Sequence, residues 1–229
     1  MEIPVMSNIL HKNDENAAEL NTMLTTRGIF TVNLMGSPGC GKTSLLEQTV
    51  SLLKNELTLA VIEGDLYTSK DADRIAGAGT PVVQINTGGG CHLDAFMVKA
   101  ALTKLDLAAV DILIIENVGN LVCPAEFNVG EHAKVVVFSV TEGEDKPLKY
   151  PLVFRQSEAI ILNKTDLLPY TSFNMDAAID DIKGLNPQAS LLQTSCRTGD
   201  GLPAWIEWLK AGAARTRRQA NMIQGVKCD

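Results

Sequence analysis

A glycine-rich loop of eight residues, GSPGCGKT at positions 36–43, sets the architecture of this chain. It matches the pattern G-x-x-x-x-G-K-[ST], the phosphate-binding P-loop. The apolar run 29–34 before it predicts a buried strand, and residues 44–54 after it repeat apolar side chains at helical spacing. A glycine-rich turn that fits the pattern by accident is the alternative, and the presence of both flanks disfavours it. The sequence therefore predicts a nucleotide-binding α/β protein.

The composition of the loop explains how it would hold phosphate. Its glycines let the backbone wrap closely around a phosphate group, and the backbone N–H groups point inward at the head of a helix. Lys42 adds a positive charge for the β- and γ-phosphates, and the Thr43 hydroxyl can bind Mg²⁺. The predicted phosphate-binding residues are Gly36, Ser37, Pro38, Gly39, Cys40, Gly41, Lys42, Thr43 and Ser44.

Two further predicted strands carry acids at the end where an open α/β sheet binds its ligands. Asp65 ends one of them and is our candidate for the switch carboxylate near Mg²⁺; Glu116 stands in the other, where many NTPases place an aspartate. Glu116 and Gly119 imitate the D-x-x-G of GTPases, so Gly119 is a predicted nucleotide contact. For Asp71 and Asp73, a role in the site and a solvated connection are equally well supported. The predicted catalytic residues are Lys42, Thr43, Asp65 and Glu116, and the last three are also the predicted Mg²⁺ ligands.

A second nucleotide motif, N-K-x-D, follows the apolar run 159–162. The Asp166 carboxylate can accept hydrogen bonds from N1–H and the 2-amino group of guanine, a pattern that adenine does not offer. Asn163 and Lys164 would brace the base and the loop. Ser195-Cys196 stands where GTPases carry a Ser-Ala pair whose backbone touches the base. The order of P-loop and N-K-x-D predicts a guanine nucleotide, GTP or GDP, as the ligand.

Three potential metal ligands follow two other predicted strands. Cys91 and His92 come after the triple glycine 88–90, and Cys123 comes after the strand that carries Glu116. Strand ends on one side of a parallel sheet gather in space, so the three can converge. Thiolate and imidazole suit Ni²⁺ or Zn²⁺. From the residues alone, the favoured alternative is that both cysteines are small buried hydrophobes and His92 merely starts a helix.

Seven apolar runs alternate with helical patterns, which predicts an α/β fold: a doubly wound, largely parallel sheet of about seven strands in a single domain of the P-loop GTPase type. We divide the chain into an N-terminal helical segment (1–28), the GTPase domain with its metal site (29–212) and a loosely held basic tail (213–229). A net charge of −7 argues against nucleic acid as a partner. No run reaches the length of a membrane span, and the start lacks a signal-peptide pattern. Five widely spaced cysteines favour a cytoplasmic protein with free thiols or metal ligands.

Taken together and in order, these motifs resemble the HypB family of nickel–iron hydrogenase maturation GTPases, in the SIMIBI class of P-loop GTPases. The resemblance extends from about Asn8 to Leu209, and its most discriminating part is Cys91-His92 together with Cys123. It implies GTP hydrolysis with Mg²⁺, GTP-linked homodimerisation, and a Ni²⁺ or Zn²⁺ site that these three residues build at the dimer interface. It also implies a HypA-like nickel chaperone as partner, SlyD in some organisms, and the hydrogenase large subunit as an indirect partner.

The chain departs from the family pattern at several points. It lacks the N-terminal cysteine motif and the His-rich stretch of some members, since its only histidines are His11, His92 and His132. Asn128 stands where members usually have aspartate. No catalytic glutamine or arginine finger is evident, so slow turnover is expected. Two alternatives stay open: a urease-type nickel GTPase resembling UreG, whose motif is Cys-Pro-His, and a GTP-dependent scaffold that hardly hydrolyses.

Overall fold

A parallel β-sheet organises the computed structural model, which describes residues 5–66 and 70–225. Its strands are β1 (Phe30–Gly36), β2 (Leu59–Asp65), β3 (Val82–Asn86), β4 (Ile112–Glu116), β5 (Ala133–Ser139), β6 (Ala159–Asn163) and β7 (Ser190–Gln193). They lie in the order β3-β2-β4-β1-β5-β6-β7, and every pairing is parallel. The predicted single-domain, doubly wound sheet of P-loop GTPase type is confirmed.

Helices connect the strands and cover both faces of the sheet. They are α1 (Val5–Thr26), α2 (Lys42–Leu53), α3 (Lys70–Gly77), α4 (Ala95–Leu102), α5 (Cys123–Glu126), α6 (Lys146–Lys149), α7 (Pro151–Gln156), α8 (Met175–Leu185) and α9 (Leu202–Gly225), with a 3₁₀ helix at Thr165–Tyr170. Among the described helices, none is both long enough and apolar enough to cross a membrane.

The strands are apolar on both faces because helices bury both. On β1, Phe30, Val32 and Leu34 pack into a core with α2 and α9, whereas Met35 joins a second core near α7 and α8. Trp205 of α9 is fully buried, and its indole N–H donates to the Thr49 hydroxyl of α2 at 2.8 Å. Two-sided burial is typical of parallel sheets and explains the near-continuous apolar runs. The sheet is therefore a rigid base from which the carboxyl-end loops project.

Helix α1 begins earlier than its cap signal indicates. The sequence around Asn13 predicts a helix start, but the structure continues α1 through this position from Val5. Asn13 is instead buried and bonds to Ala95 and Asn128, outside its own helix. The predicted end is confirmed, because Gly28 follows the helix with φ of +75°.

The prediction of a loosely held tail from residue 213 is wrong for the described part of that segment. Helix α9 continues to Gly225, and Arg217 pairs with Asp111 at the start of β4. Its buried positions recur at helical spacing and are Ala213, Thr216 and Ala220. A basic segment with a small-residue stripe thus forms a packed helix, because small residues permit a close approach to the sheet and α1. Cys228 lies outside the described residues.

Candidate functional site: a nucleotide cleft beside a Cys–His–Cys cluster

The P-loop lies over the carboxyl ends of three adjacent strands, since β2, β4 and β1 are consecutive in the sheet. The register places Glu63 of β2 beside Glu116 of β4, so both carboxyl groups face the same side of the sheet. Gly41 of the loop has φ of +103°, and a Cβ there would collide with the Asn163 side chain. Only glycine fits this position. The fold therefore brings the loop between two acids and the N-K-x-D segment.

Lys42 is held inside the loop. It is 7% exposed, and its Nζ donates to the carbonyl oxygens of Gly36 at 3.3 Å and Ser37 at 3.5 Å. A second cation, which the sequence did not predict, comes from α6: Lys146 Nζ donates to the Ser37 hydroxyl at 3.1 Å. Two ammonium groups thus lie at the loop, one under its backbone and one at its outer side.

Three carboxyl groups gather below the loop. Glu116 accepts a hydrogen bond from the Thr43 hydroxyl at 3.0 Å, and burial raises the pKa of Glu116 to about 7. Glu63 is 2% exposed; burial, with the nearby charges of Glu116 and Asp65, raises the pKa of Glu63 to about 8. Among the described residues, Oε2 of Glu63 and Oε2 of Glu116 have no hydrogen-bond partner. Buried acceptors of this kind are costly unless a cation approaches them, and hydroxyl plus carboxylate oxygens suit Mg²⁺.

The predicted Mg²⁺ ligands Thr43, Asp65 and Glu116 all line one cavity of about 400 Å³. Its wall also contains Pro38, Gly39, Gly41, Lys42, Ser44, Glu63, Gly64, Leu66, Asp71, Arg74, Asn117, Val118, Gly119 and Lys164. Glu63 was missed because one sequence does not show which acids of a strand end face the ligand side. Of the two acids left open, Asp71 lines the cavity, whereas Asp73 is exposed and is not part of its wall.

An arginine closes one side of this cavity. Arg74 of α3 pairs with Glu47 of α2 at 2.7 Å and with Asp71 at 3.1 Å, and it donates to the Ser44 hydroxyl at 3.4 Å. These contacts raise the pKa of the guanidinium further, chiefly through the hydrogen bonds to Glu47. Helix α3, which lies in a stretch that the sequence marked only as polar, is therefore tied to the P-loop helix.

The N-K-x-D segment braces the P-loop from its other side. Asn163 Nδ2 donates to the Cys40 carbonyl at 3.1 Å, and Lys164 Nζ donates to the Gly39 carbonyl at 2.5 Å. Lys164 adopts the left-handed backbone region, with φ of +60°. Burial raises the pKa of Cys40 to about 11, so this residue stays a thiol and serves the loop through its backbone.

A second cavity, of about 420 Å³, adjoins the first and is lined by the predicted base-reading residues except Ser195, which is buried. The Asp166 carboxylate accepts from the Ser195 hydroxyl at 2.6 Å, and the Cys196 thiol donates to the Asn163 side-chain oxygen at 3.6 Å. The wall consists of Gly41, Ser44, Glu47, Gln48, Asn163, Lys164, Asp166, Leu167, Cys196 and Arg197. Because Gly41, Ser44 and Lys164 belong to both cavities, phosphate and base can occupy them together. A larger cavity of about 570 Å³, between α1 and residues 128–134, contains none of the predicted site residues.

We expect Asp166→Asn to weaken GTP binding about 10- to 100-fold, because a hydrogen bond to a charged group contributes about 1.5–3 kcal/mol. Affinity for xanthine nucleotides should increase, since their 2-oxo group can accept a hydrogen bond from the new amide. Competition binding of GTP against XTP measures the change, with Asp180→Asn, an exposed aspartate of α8, as the matched control. Unchanged guanine preference in Asp166→Asn would show that Asp166 does not read the base.

The three predicted metal ligands converge in space. One ligand atom each from Cys91, His92 and Cys123 lies within 4.8 Å of the others. The Cys91 and Cys123 sulfurs are 2.9 Å apart, and the Cys91 sulfur lies 3.6 Å from His92 Nδ1. Cys91 is exposed and Cys123 only half-buried, so the interpretation of both as buried hydrophobes is wrong. The His92 ring stacks on Phe127 with centroids 3.8 Å apart, a support that the sequence did not predict.

The protonation state of His92 suits metal binding, whereas the Cys123 thiol must first lose its proton. Burial lowers the pKa of His92, which keeps its imidazole neutral and able to bind metal near pH 7. The pKa of the Cys123 thiol is raised, mainly by its hydrogen bond with Cys91. A metal ion would replace that proton, so binding should release protons and weaken as the pH falls. Three ligands leave at least one coordination position open.

Asparagines on the loop after β4 connect the cluster to the nucleotide cleft. Asn117, next to Glu116, accepts from the backbone N–H of Leu93 at 3.0 Å, directly after His92. Asn120 donates to the Cys91 carbonyl at 3.2 Å and forms an isolated bridge with Gly36 of the P-loop. One short segment therefore follows Glu116 directly, pairs with the P-loop and bonds to the backbone at Cys91 and Leu93.

Comparisons with known proteins agree with this geometry. The family described as CobW/HypB/UreG, nucleotide-binding domain, matches residues 30–193. Hydrogenase maturation factor HypB of Azotobacter vinelandii is 51% identical over 90% of this chain and 68% of its own length. Hydrogenase/urease maturation factor HypB of Helicobacter hepaticus is 43% identical over 84% of this chain and 81% of its own. The crystal structure of HypB from Helicobacter pylori in complex with nickel superposes with a TM-score of 0.85 at 38% identity, covering 90% of this chain and 97% of that one.

Proposed function

The chain belongs to the CobW/HypB/UreG family, among the maturation factors named HypB, and on that premise we propose that it is a slow GTPase that gates or delivers nickel during nickel–iron hydrogenase maturation. The observation that carries this proposal is the segment formed by the end of β4 and the loop after it, which contacts both sites. Glu116 bonds to Thr43 of the P-loop, while its neighbour Asn117 bonds to the backbone beside His92. A change of nucleotide can thereby change the metal cluster.

The substrate of the reaction is GTP, with Mg²⁺ as the bound cation. Most of the predicted phosphate and base residues line two adjoining cavities, whereas Gly36, Ser37, Cys40 and Ser195 line neither. Thr43, Asp65 and Glu116 would hold Mg²⁺, with Glu63 close beneath them. When bound, Mg²⁺ neutralises charge on the β- and γ-phosphates. Lys42 would stabilise the same charge, and Asp166 would fix the base.

Hydrolysis breaks the bond between the γ-phosphorus and its bridging oxygen, as water attacks in line to give GDP and phosphate. Positioning and electrostatic stabilisation supply most of the catalysis in this reaction class. The described residues of the phosphate cavity include no glutamine that could orient the water, and Arg74 is engaged by Glu47 and Asp71. We therefore expect slow turnover in the absence of a partner.

Phosphate release from GTP separates an enzyme from a scaffold. We expect a turnover between about 10⁻⁴ and 10⁻² s⁻¹, the range of P-loop GTPases without a partner. The background is set by the same reaction without protein. A parent protein that binds GTP but releases phosphate no faster than this background would be a nucleotide-dependent scaffold, contrary to our proposal.

The nickel ion is cargo that occupies Cys91, His92 and Cys123, and Zn²⁺ fits the same ligands. A nickel-bound HypB structure from Helicobacter pylori supports nickel as the metal. We propose a HypA-like nickel chaperone, and SlyD in some organisms, as partners on the delivery path. The hydrogenase large subunit would receive the metal indirectly, in the cytoplasm.

We also propose that GTP promotes a homodimer in which two clusters share one metal site. Phe96 and Val122, close in sequence to His92 and Cys123, are exposed apolar side chains beside the cluster. In light scattering, a non-hydrolysable GTP analogue should raise the mass from monomer to dimer more effectively than GDP, because the γ-phosphate can add contacts at the end of β2 and the start of α3. Lys42→Ala should stay monomeric with the analogue. The same mass with both nucleotides in the parent would contradict nucleotide-linked dimerisation.

A urease-type function is the second candidate. One relative, from Helicobacter hepaticus, is named for both hydrogenase and urease maturation. In this chain Cys91 and His92 are adjacent, whereas the UreG-like motif has proline between them. The adjacency favours the hydrogenase role.

A further inference from the structure

One buried polar side chain of α1 bonds to both segments that carry metal ligands. Asn13 is 8% exposed. Its Oδ1 accepts from the backbone N–H of Ala95 at 2.9 Å, and its Nδ2 donates to the backbone carbonyl of Asn128 at 2.9 Å. Ala95 comes soon after His92, and Asn128 comes soon after Cys123. A single amide thus spans the two arms of the Cys–His–Cys cluster.

The partners of this amide fix its orientation. A backbone N–H needs an acceptor and a backbone carbonyl needs a donor, so the flipped amide would lose both bonds. Ala95 is the first residue of α4, and its N–H has no partner within the helix. The cap residue Asp94 accepts from Met97 instead, at 2.7 Å. Asn13 therefore completes the cap of the helix that follows His92.

A neighbouring contact strengthens the same connection. Asn128 Nδ2 donates to the Asp14 carboxylate of α1 at 3.0 Å. An aspartate at position 128, as the family pattern would have it, would set two carboxylates against each other here. Asn128 can instead donate a hydrogen bond to Asp14. Helix α1 therefore holds the segment after Cys123 through two adjacent residues, Asn13 and Asp14.

We propose that Asn13 is a positioning residue of the metal cluster: it holds the Cys91–His92 arm and the Cys123 arm at the separation that one metal ion needs. Helix α1 therefore sets metal affinity, although it lies outside the P-loop, the N-K-x-D segment and the cluster itself. This inference rests on the proposed function, in that the cluster must bind nickel or zinc for affinity to be affected.

The first test is nickel titration of Asn13→Ala against a competing chelator. Removing an outer partner of a metal site lowers affinity about 10- to 100-fold, and we expect that loss here. GTP affinity should stay within about twofold of the parent. Asn21→Ala is the matched control, since Asn21 lies on α1 and donates to the carbonyls of Gly130 and Glu131, whereas the Ala95 N–H donates to Asn13. Equal losses in both variants would assign the effect to general docking of α1 and overturn the proposal.

A second readout does not depend on metal. In the metal-free protein, diamide takes up the two electrons and two protons released when the Cys91 and Cys123 thiols close to a disulfide. The two sulfurs are 2.9 Å apart, so displacement of either arm should slow this closure in Asn13→Ala but not in Asn21→Ala. If disulfide closure is slower in Asn13→Ala and the parent protein binds no nickel, the positioning role is supported while the metal function is refuted. Closure and nickel affinity both equal to the parent's would overturn the positioning role.

Asn13→Asp guards against a folding failure of the alanine variant. It keeps the size of the side chain and an acceptor for Ala95, but as a carboxylate it cannot donate to the Asn128 carbonyl. We expect nickel affinity between those of the parent and Asn13→Ala. Parent-like affinity and parent-like closure rate in Asn13→Asp would contradict a role for the bond that spans both arms.

Discussion

Lys42→Ala should lower the rate of GTP hydrolysis by at least about 100-fold, the loss typical of removing one preorganised group that stabilises transition-state charge. The Lys42 ammonium is buried under the loop, where the Gly36 and Ser37 carbonyls hold it in place beside the phosphate cavity. GTP binding should weaken strongly as well, because the β- and γ-phosphates lose their partner. Phosphate release and nucleotide binding measure the two effects.

Lys54→Ala provides the matched control for this substitution. Lys54 is exposed at the carboxyl end of α2, the helix that begins with Lys42, and lines neither nucleotide cavity. Its turnover should equal that of the parent. Normal turnover in Lys42→Ala, at an unchanged melting temperature, would refute the assignment of the loop as the phosphate site.

Cys91→Ala should remove most nickel or zinc binding, by at least about 100-fold, the upper end of the loss seen when only an outer partner of a metal is removed. The Cys91 sulfur is the atom in contact with both other ligands, at 2.9 Å from the Cys123 sulfur and 3.6 Å from His92 Nδ1. Cys123→Ala should weaken binding. Equilibrium titration with Ni²⁺ and Zn²⁺ gives the affinities.

The same titration includes Cys228→Ala as a control and is repeated at several pH values to measure how metal affinity depends on pH. Cys228→Ala should bind metal like the parent; the reverse result, with Cys91→Ala unaffected and Cys228→Ala impaired, would place the ligand in the tail. Affinity in the parent should fall as the pH falls, because the two thiols and His92 must lose protons to bind. The lowered pKa of His92 means that the thiols govern this dependence near neutral pH.

The fold and the nucleotide site were largely predictable because their signals are local. The P-loop and N-K-x-D each lie between an apolar strand and a helix, and strand ends of a parallel sheet share one side. The number of carboxyl groups below the P-loop was not predictable, since one sequence does not show that Glu63 of β2 lies beside Glu116 of β4. The stacking of Phe127 on His92 was not predictable for a similar reason, because their contact depends on the path of two loops.

Contacts that join distant segments escaped prediction for a physical reason. At Asn13 the local pattern is that of a helix cap, but tertiary bonds to Ala95 and Asn128 use the side chain inside a continuous helix. At the carboxyl end, a basic segment reads as a solvated tail because its buried stripe consists of small residues. The burial of Ala213 and Ala220 depends on α9 lying close to its neighbours, which composition does not reveal.

The proposed coupling between nucleotide and metal is tested most directly by one measurement: the nickel affinity of the parent protein bound to GDP and to a non-hydrolysable GTP analogue. The last residue of β4, Glu116, bonds to Thr43, and the loop that follows bonds to the backbone of Leu93 through Asn117 and of Cys91 through Asn120, so one continuous segment contacts both sites. We predict nickel dissociation constants that differ by about fivefold or more between the two nucleotides, the lower end of ordinary coupling energies. Identical nickel affinities with GDP and with the analogue would contradict a GTPase that gates nickel transfer.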